Sequence, residues 1–168
     1  MDSLASAAPR LPHPQTPGRP CSIAAALALV GEKWALLAVR EVALGNRRFD
    51  AIARNTGAPR DILTTRLRSL EAVGVLERRP YQDRPPRFEY HLTAPGTDLL
   101  PVLQMLAAWG DRWVSEEPPV AYTHQDHEFA PALMCGTCGE EAVPGTVHAH
   151  VRAAGWDRRG PVAAAESG

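Results

Sequence analysis

From Pro59 to Gly74 the chain reads PRDILTTRLRSLEAVG, and its apolar residues recur at helical spacing. At about 100° per residue Leu63, Leu67 and Leu70 share one face, and Arg60, Asp61, Thr64, Thr65 and Arg68 share the other. A helix is predicted here. Pro59 suits its start, because the N–H that proline lacks is an orphan in any first turn. Arg66 falls near the apolar edge, which predicts a packing or backbone-phosphate role, and Glu71 is placed to pair with an Arg one turn away. Directly after the helix, Leu76-Glu77-Arg78-Arg79 reads as a strand. Phe88-Glu89-Tyr90-His91-Leu92, with clean alternation, reads as its antiparallel partner. Residues 80–87 between them are predicted to form a stiff, basic tip, too polar for a core.

The flanking segments complete the pattern. Residues 1–20 contain five prolines and almost no bulky apolar side chains, which predicts a disordered arm ending at Pro20. Cys21 to Leu44 is helical and apolar, broken at Gly31. Asn46 to Arg48 is a candidate connecting strand. Phe49 to Arg54 reads as a short helix closed by Asn55-Thr56-Gly57, good capping residues. After the hairpin, Thr93 offers an N-cap to a long amphipathic helix reaching about Val114, bent by Pro101. Its stripe of Leu99, Leu103, Leu106, Trp109 and Trp113 is wider than a small domain buries alone, so a dimer seam is predicted. Beyond Glu117 the composition turns to Pro, His, Gly and Ala. The expected organisation is an arm over 1–20, a domain over 21–117 and a tail over 118–168. The fold class is mainly α with a small β-hairpin wing, a winged helix-turn-helix.

Charge sharpens this picture. The net formal charge is only -1, but residues 31–87 carry 12 Lys/Arg against 7 Asp/Glu and residues 88–168 carry 4 against 11. The positive charge therefore sits on the helix and hairpin, as nucleic-acid binding requires. Of the 18 cationic residues 17 are Arg, whose planar fork matches guanine or phosphate bidentately. The longest apolar run, Ile23 to Val30, falls far short of the roughly 20 residues of a membrane span. No basic n-region with a hydrophobic run follows the N-terminus, and three Cys make no secreted disulfide framework. A cytoplasmic protein with no membrane partner is expected.

The motifs now support a resemblance. Cys21-Ser22-Ile23-Ala24, Leu29-Val30-Gly31-Glu32-Lys33-Trp34, Arg47-Arg48-Phe49, the run from Leu63 to Glu71, the run from Pro85 to Tyr90, and Leu92-Thr93 occur in fixed order. Together they resemble the HxlR-type transcriptional regulators of the MarR-like superfamily, over about residues 21–117. Ser22 stands where that family usually has Pro, and Ala58 where Ser is frequent. The resemblance implies a homodimeric regulator, a repressor or an activator, that binds double-stranded operator DNA. It also implies a response to a small molecule, an electrophile or an oxidant.

Candidate site residues follow. Arg60, Thr64, Thr65 and Arg68 are expected to make the groove contacts. Arg78, Arg79, Arg84 and Arg87 ring the wing and are expected along the backbone or in a narrow minor groove, two of the four touching DNA. Cys21 follows Pro20 at the first turn of a helix, where the dipole and free N–H groups favour a thiolate. Several family members sense oxidants or quinones with a Cys at this position, which marks Cys21 as a redox-sensor candidate against an inert, packed thiol. In the tail, His124 and His127 precede Cys135-Gly136-Thr137-Cys138-Gly139, and C-G-x-C-G is the turn of a zinc knuckle. These four are the candidate metal ligands, with zinc the possible metal and no cofactor otherwise required. Asp126 stands where some relatives carry a first Cys.

Two other classes compete. A CxxC thiol enzyme would need a βαβ unit around Cys135 and Cys138, and no strand precedes them. A zinc-ribbon interaction module would explain the tail and leave the basic helix and wing idle. No phosphate loop, nucleophile elbow or catalytic carboxylate pair is present, so no enzyme is expected.

Overall fold

The structure, a computed structural model, describes residues 10–162. Its elements are α1 (Ser22–Val30), α2 (Lys33–Ala43), α3 (Phe49–Thr56), α4 (Arg60–Ala72), β1 (Leu76–Asp83), β2 (Pro86–Leu92), α5 (Ala94–Thr97), α6 (Leu100–Trp113), β3 (Thr123–His124) and β4 (His127–Glu128). The described chain divides into two compact units, 10–16 with 21–100, and 17–20 with 101–162. The contact boundary falls at Leu100/Pro101, ahead of the expected boundary at Glu117.

The first unit is a winged helix-turn-helix. Gly31 separates α1 from α2, which meet at 76°. A Cβ on Gly31 would stand 2.5 Å from the Leu27 carbonyl oxygen, so no other residue fits that corner unshifted. The core gathers Val39, Ile52, Leu63, Leu67, Leu70, Val75 and Leu76, all completely or almost completely buried. The three leucines predicted to share a face of the helix beginning near Pro59 are therefore what anchors α4. Gly57 closes α3 at φ +69°, in the left-handed region glycine adopts without strain.

Three expectations are corrected. The strands run through most of the predicted tip, from Leu76 to Asp83 and from Pro86 to Leu92, leaving only Arg84-Pro85 to turn. The register slips between Pro80 and Gln82, so Tyr81 is the extra residue of a bulge. That irregularity and the sheet edge are where prolines are tolerated in a strand. Asn46–Arg48 forms no strand, although the Arg47 carbonyl accepts the Tyr90 N–H at 2.8 Å and so ties this segment to β2. The long helix after Thr93 is broken, not bent. Pro101 has no N–H to bond back to Thr97, and the helix stops at Thr97 and restarts at Leu100.

Thr93 secures the end of the wing. Its hydroxyl donates to the Gly74 carbonyl at 2.6 Å and accepts the Gly96 N–H at 3.2 Å. Gly96 lies so close behind that a Cβ there would meet the Val75 carbonyl oxygen at 2.2 Å.

The second unit holds α6, the β3–β4 hairpin and short turns bridged at Met134–Glu141 and Trp156–Pro161. No residue of α6 is buried. Residues 1–9 of the predicted arm lie outside the described residues, and 10–20 carry neither helix nor strand. Among the described residues no single helix is long and apolar enough to cross a membrane.

Candidate nucleic-acid interface

With Leu63, Leu67 and Leu70 turned inward, α4 turns Arg60, Asp61, Thr65 and Arg68 to solvent, with Thr64 half-buried. The two threonine hydroxyls donate to carbonyls one turn back, Thr64 to Arg60 at 2.7 Å and Thr65 to Asp61 at 3.0 Å. Their lone pairs remain available to accept from a base amino group. Arg60 is drawn to the N-terminal turn of α3, bonded to Asp50 at 2.8 Å and stacked on Phe49. Arg68 has no carboxylate partner among the described residues. Arg66, as its position at the apolar edge suggests, is tucked in, 3.4 Å from Glu32, with its Nε buried and unbonded.

The wing arginines separate into two kinds. Arg78 stacks on Phe88 and reaches Glu71 at 3.5 Å, so the partner of Glu71 is an Arg of β1 and not the one expected a turn away along the helix. Arg79 is held by Glu77. Arg84 at the turn and Arg87 on β2 have no carboxylate partner among the described residues. Burial pushes the Tyr90 phenol up, opposed by the Arg78 and Arg68 charges and reinforced by Glu71. Arg68 of α4 and Arg78 of the wing thus act on one side chain at the junction of helix and hairpin.

Two features escaped sequence reasoning. Arg48 bonds Glu89 at 3.0 Å and stacks over the bulged Tyr81 ring at 4.4 Å, bridging α3 to the wing. It borders a groove of about 630 Å³ with Arg54, Arg78 and Arg87 on its rim. The doubled Arg before Phe49 was the available signal. Beneath it, Glu41 is 3% exposed, and its carboxylate accepts from Arg40 (2.7 Å), Asn46 (2.8 Å) and Asn55 (2.9 Å). Burial alone would raise this carboxyl. The bonds from Asn55, Arg40 and Asn46 and the Arg40 charge outweigh it, and its pKa sits below the ordinary value. This cluster ties α2 to the start and end of α3, fixing the helix that Arg48 and Arg60 lean on.

Cys21 is exposed and occupies the N-cap of α1, one position ahead of the expected first turn, with no side-chain capping bond. In the second unit, His124 and His127 face each other across β3 and β4 with rings 5.5 Å apart. Cys135 and Cys138 share one turn. Backbone N–H groups of Cys138 and Thr137, and the Cys138 thiol, are directed at the Cys135 sulfur and bring its pKa down to about 7. Among the described residues no three His, Cys, Asp or Glu side chains gather as a metal would need, and the four candidate ligands stand as two pairs.

Comparison with known proteins agrees with this geometry. A family model described as HxlR-like helix-turn-helix matches residues 29–118. The uncharacterized HTH-type transcriptional regulator Rv3095 of Mycobacterium tuberculosis is 45% identical over 124 residues, spanning 71% of this chain and 78% of its own length. The solved structure of PA1607, a putative transcription factor, is 27% identical with a TM-score of 0.68, covering 77% of this chain and 93% of that one. The redox regulator HypR in its oxidized form is 31% identical with a TM-score of 0.50, covering 56% of this chain and 99% of that one.

Proposed function

Because the chain belongs to the HxlR-like helix-turn-helix family of DNA-binding transcriptional regulators, we propose that it is a homodimer that reads an operator with α4 and steadies itself with the wing. The observation that carries this reading is the solvent face of α4, where Arg68 stands without a carboxylate partner opposite three fully buried leucines. Arg68, Thr64 and Thr65 contact base edges, and Arg60, braced by Asp50, sets the helix N-terminus against a phosphate. Arg84 and Arg87 take backbone phosphates. Arg78 and Arg79, engaged by Glu71 and Glu77, hold the wing's shape and contact DNA second. The protein acts in the cytoplasm, on the nucleoid, by binding and not by catalysis.

Dimerisation is supported by large apolar side chains exposed on α1 and α6. Ile23 and Leu27 on α1 are exposed, and on α6 so are Met105, Leu106, Trp109 and Trp113. Large apolar side chains clustered on an exposed helix mark association surfaces.

The test is fluorescence anisotropy with DNA flanking the protein's own gene against an unrelated duplex. Specific affinity that falls steeply with salt is expected. Arg68→Ala should weaken operator binding by about 1–3 kcal/mol with the dimer intact. Unchanged affinity in that variant refutes the placement of α4 in the groove.

A second reading adds an oxidant or electrophile response through Cys21. Its exposed thiol at the N-cap of α1 favours it, as does the likeness to HypR, itself described as a redox regulator. Loss of specific binding on mild oxidation in the parent but not in Cys21→Ser is the expected outcome.

A further inference from the structure

The end of the second unit reverses the charge of the rest of it. Residues 101–143 carry one Arg against seven Asp and Glu, whereas residues 144–162 carry three Arg against Asp157 alone. A fourth cation, Arg19, joins them through space, because residues 17–20 belong to the same unit. Its guanidinium donates to the Arg158 carbonyl at 3.1 Å and stands 6.0 Å from the centre of the Trp156 ring. Neither the solvent face of α4 nor the apolar stripe of α6 uses this patch.

The turn that carries the patch is closed by its own backbone. Trp156 bridges Pro161, the Val162 N–H donates to the Gly155 carbonyl at 2.9 Å, and the Asp157 N–H donates to the Gly160 carbonyl at 2.9 Å. Arg158 and Arg159 therefore stand at its tip. The Asp157 carboxylate is turned into the loop, where Oδ1 accepts the Arg159 N–H at 2.7 Å and the Gly160 N–H at 2.9 Å. The Gly160 and Arg159 N–H groups, joined by the Arg19 charge, hold its pKa below the ordinary value. The one acid of the patch is thus engaged by backbone. Arg19, Arg152, Arg158 and Arg159 are all exposed, and among the described residues none has a carboxylate partner. Beside them His148, His150, Trp156 and Arg158 border a recess of about 460 Å³.

We propose that Arg19, Arg152, Arg158 and Arg159, gathered around Trp156, form a second DNA contact that takes backbone phosphates without reading sequence. A merely solvated surface interleaves charges of both signs. Here one sign is gathered and its only counter-charge is turned inward, which is the electrostatic footprint of a polyanion site. The guanidinium fork matches two phosphate oxygens at once. Phosphate contacts need no exact register with the bases, so a turn held by local bonds suffices for them. Duplex DNA is the polyanion that a DNA-binding regulator already meets. The inference rests on that reading of the chain and not on α4 lying in the groove.

The experiment measures binding of the full chain by fluorescence anisotropy, on DNA flanking its own gene and on an unrelated duplex, across a range of salt concentrations. Arg158→Ala/Arg159→Ala removes two side chains and leaves every backbone bond of the turn in place, so unfolding should match the parent's. Its slope of log affinity against log salt should be shallower by about 2 per bound chain, at about 0.9 for each phosphate released. Affinity should fall by the same factor on both duplexes. Adding Glu116→Gln/Glu117→Gln to that variant restores the parent's net charge, and the slope should stay shallow. A slope equal to the parent's in the double variant would overturn the proposal. So would a loss confined to one duplex, a slope recovered by the charge compensation alone, or a parent that binds neither duplex. Failure of the α4 reading shows separately, as a parent that binds both duplexes equally or an Arg68→Ala variant of unchanged affinity.

Discussion

Residues 21–100 and residues 101–162 use similar side chains to opposite ends. Every side chain that the described protein buries as core lies between Val30 and Leu76, while the second unit buries none and leaves Trp109 58% and Trp113 65% exposed. The first unit is organised by exclusion of water, which holds its arginines on fixed backbones. The second is organised by local hydrogen bonds in short turns, and its largest apolar groups are left for another molecule to cover. A DNA-reading surface needs the first kind of support, because a groove contact is specific only if its backbone does not move. An association surface needs only the second.

That contrast breaks first at the core. Leu67→Ala removes a fully buried side chain from the face that seats α4 and should lower unfolding stability by about 2–5 kcal/mol. Chemical denaturation measures it, and a loss below 1 kcal/mol would mean that α4 is not packed as described. Glu41→Ala comes next. It strands the Arg40, Asn46 and Asn55 donors around a 3%-exposed site and should cost about 3 kcal/mol. Glu41→Gln tests the charge separately. The folded carboxyl titrates below its ordinary 4.5, so its contribution is complete above that value and disappears as pH falls through the folded value. The parent should therefore lose stability on acidification below about 4.5 more steeply than Glu41→Gln, and parallel acid limbs would show the cluster to be neutral to folding.

The exposed stripe of α6 gives the third effect. Trp109→Ala should weaken the proposed dimer by about 2 kcal/mol, roughly 30-fold, because aromatic anchors dominate such seams. Sedimentation at graded concentration reads the shift, and the monomer's unfolding should be almost unchanged. A destabilised monomer with an unaltered dimer would place Trp109 in an intrachain core instead.

How far the sequence carried depended on how local each signal was. Leu63, Leu67 and Leu70 announce α4 by period alone, and Gly31 and Gly57 announce their breaks. The wing's two strands were visible, but Tyr81 as a bulge was not, since a register slip depends on a partner strand and leaves no mark on its own. Pro101 signalled a disturbance without saying whether the helix would bend or stop. Glu41 was invisible, because one acid in an apolar helix reads as a solvated residue. Its partners Asn46 and Asn55 stand 5 and 14 positions away, and only the fold brings them round its carboxylate. The same holds for Arg48, whose carboxylate partner lies 41 positions on. In the tail the spacing of His and Cys suggested four ligands, and the described residues place them as a histidine pair on the β3–β4 hairpin and a cysteine pair in a separate turn.

The smallest effect probes the second unit itself. Leu133 is 58% exposed beside the thiol turn, and its carbonyl, not its side chain, accepts the Ala142 N–H. If local backbone bonds organise this region, deleting the side chain removes almost nothing from water-excluded contact. Leu133→Ala should then change stability by less than about 0.5 kcal/mol, as surface substitutions do. Denaturant melts of parent and variant give the number, and hydrogen exchange at Ala142 should report the same protection in both. A loss comparable to that of Leu67→Ala would mean that this leucine is covered by something, either a second chain or residues outside those described. The contrast between a unit built on burial and a unit built on turns would then be wrong at its own weakest point.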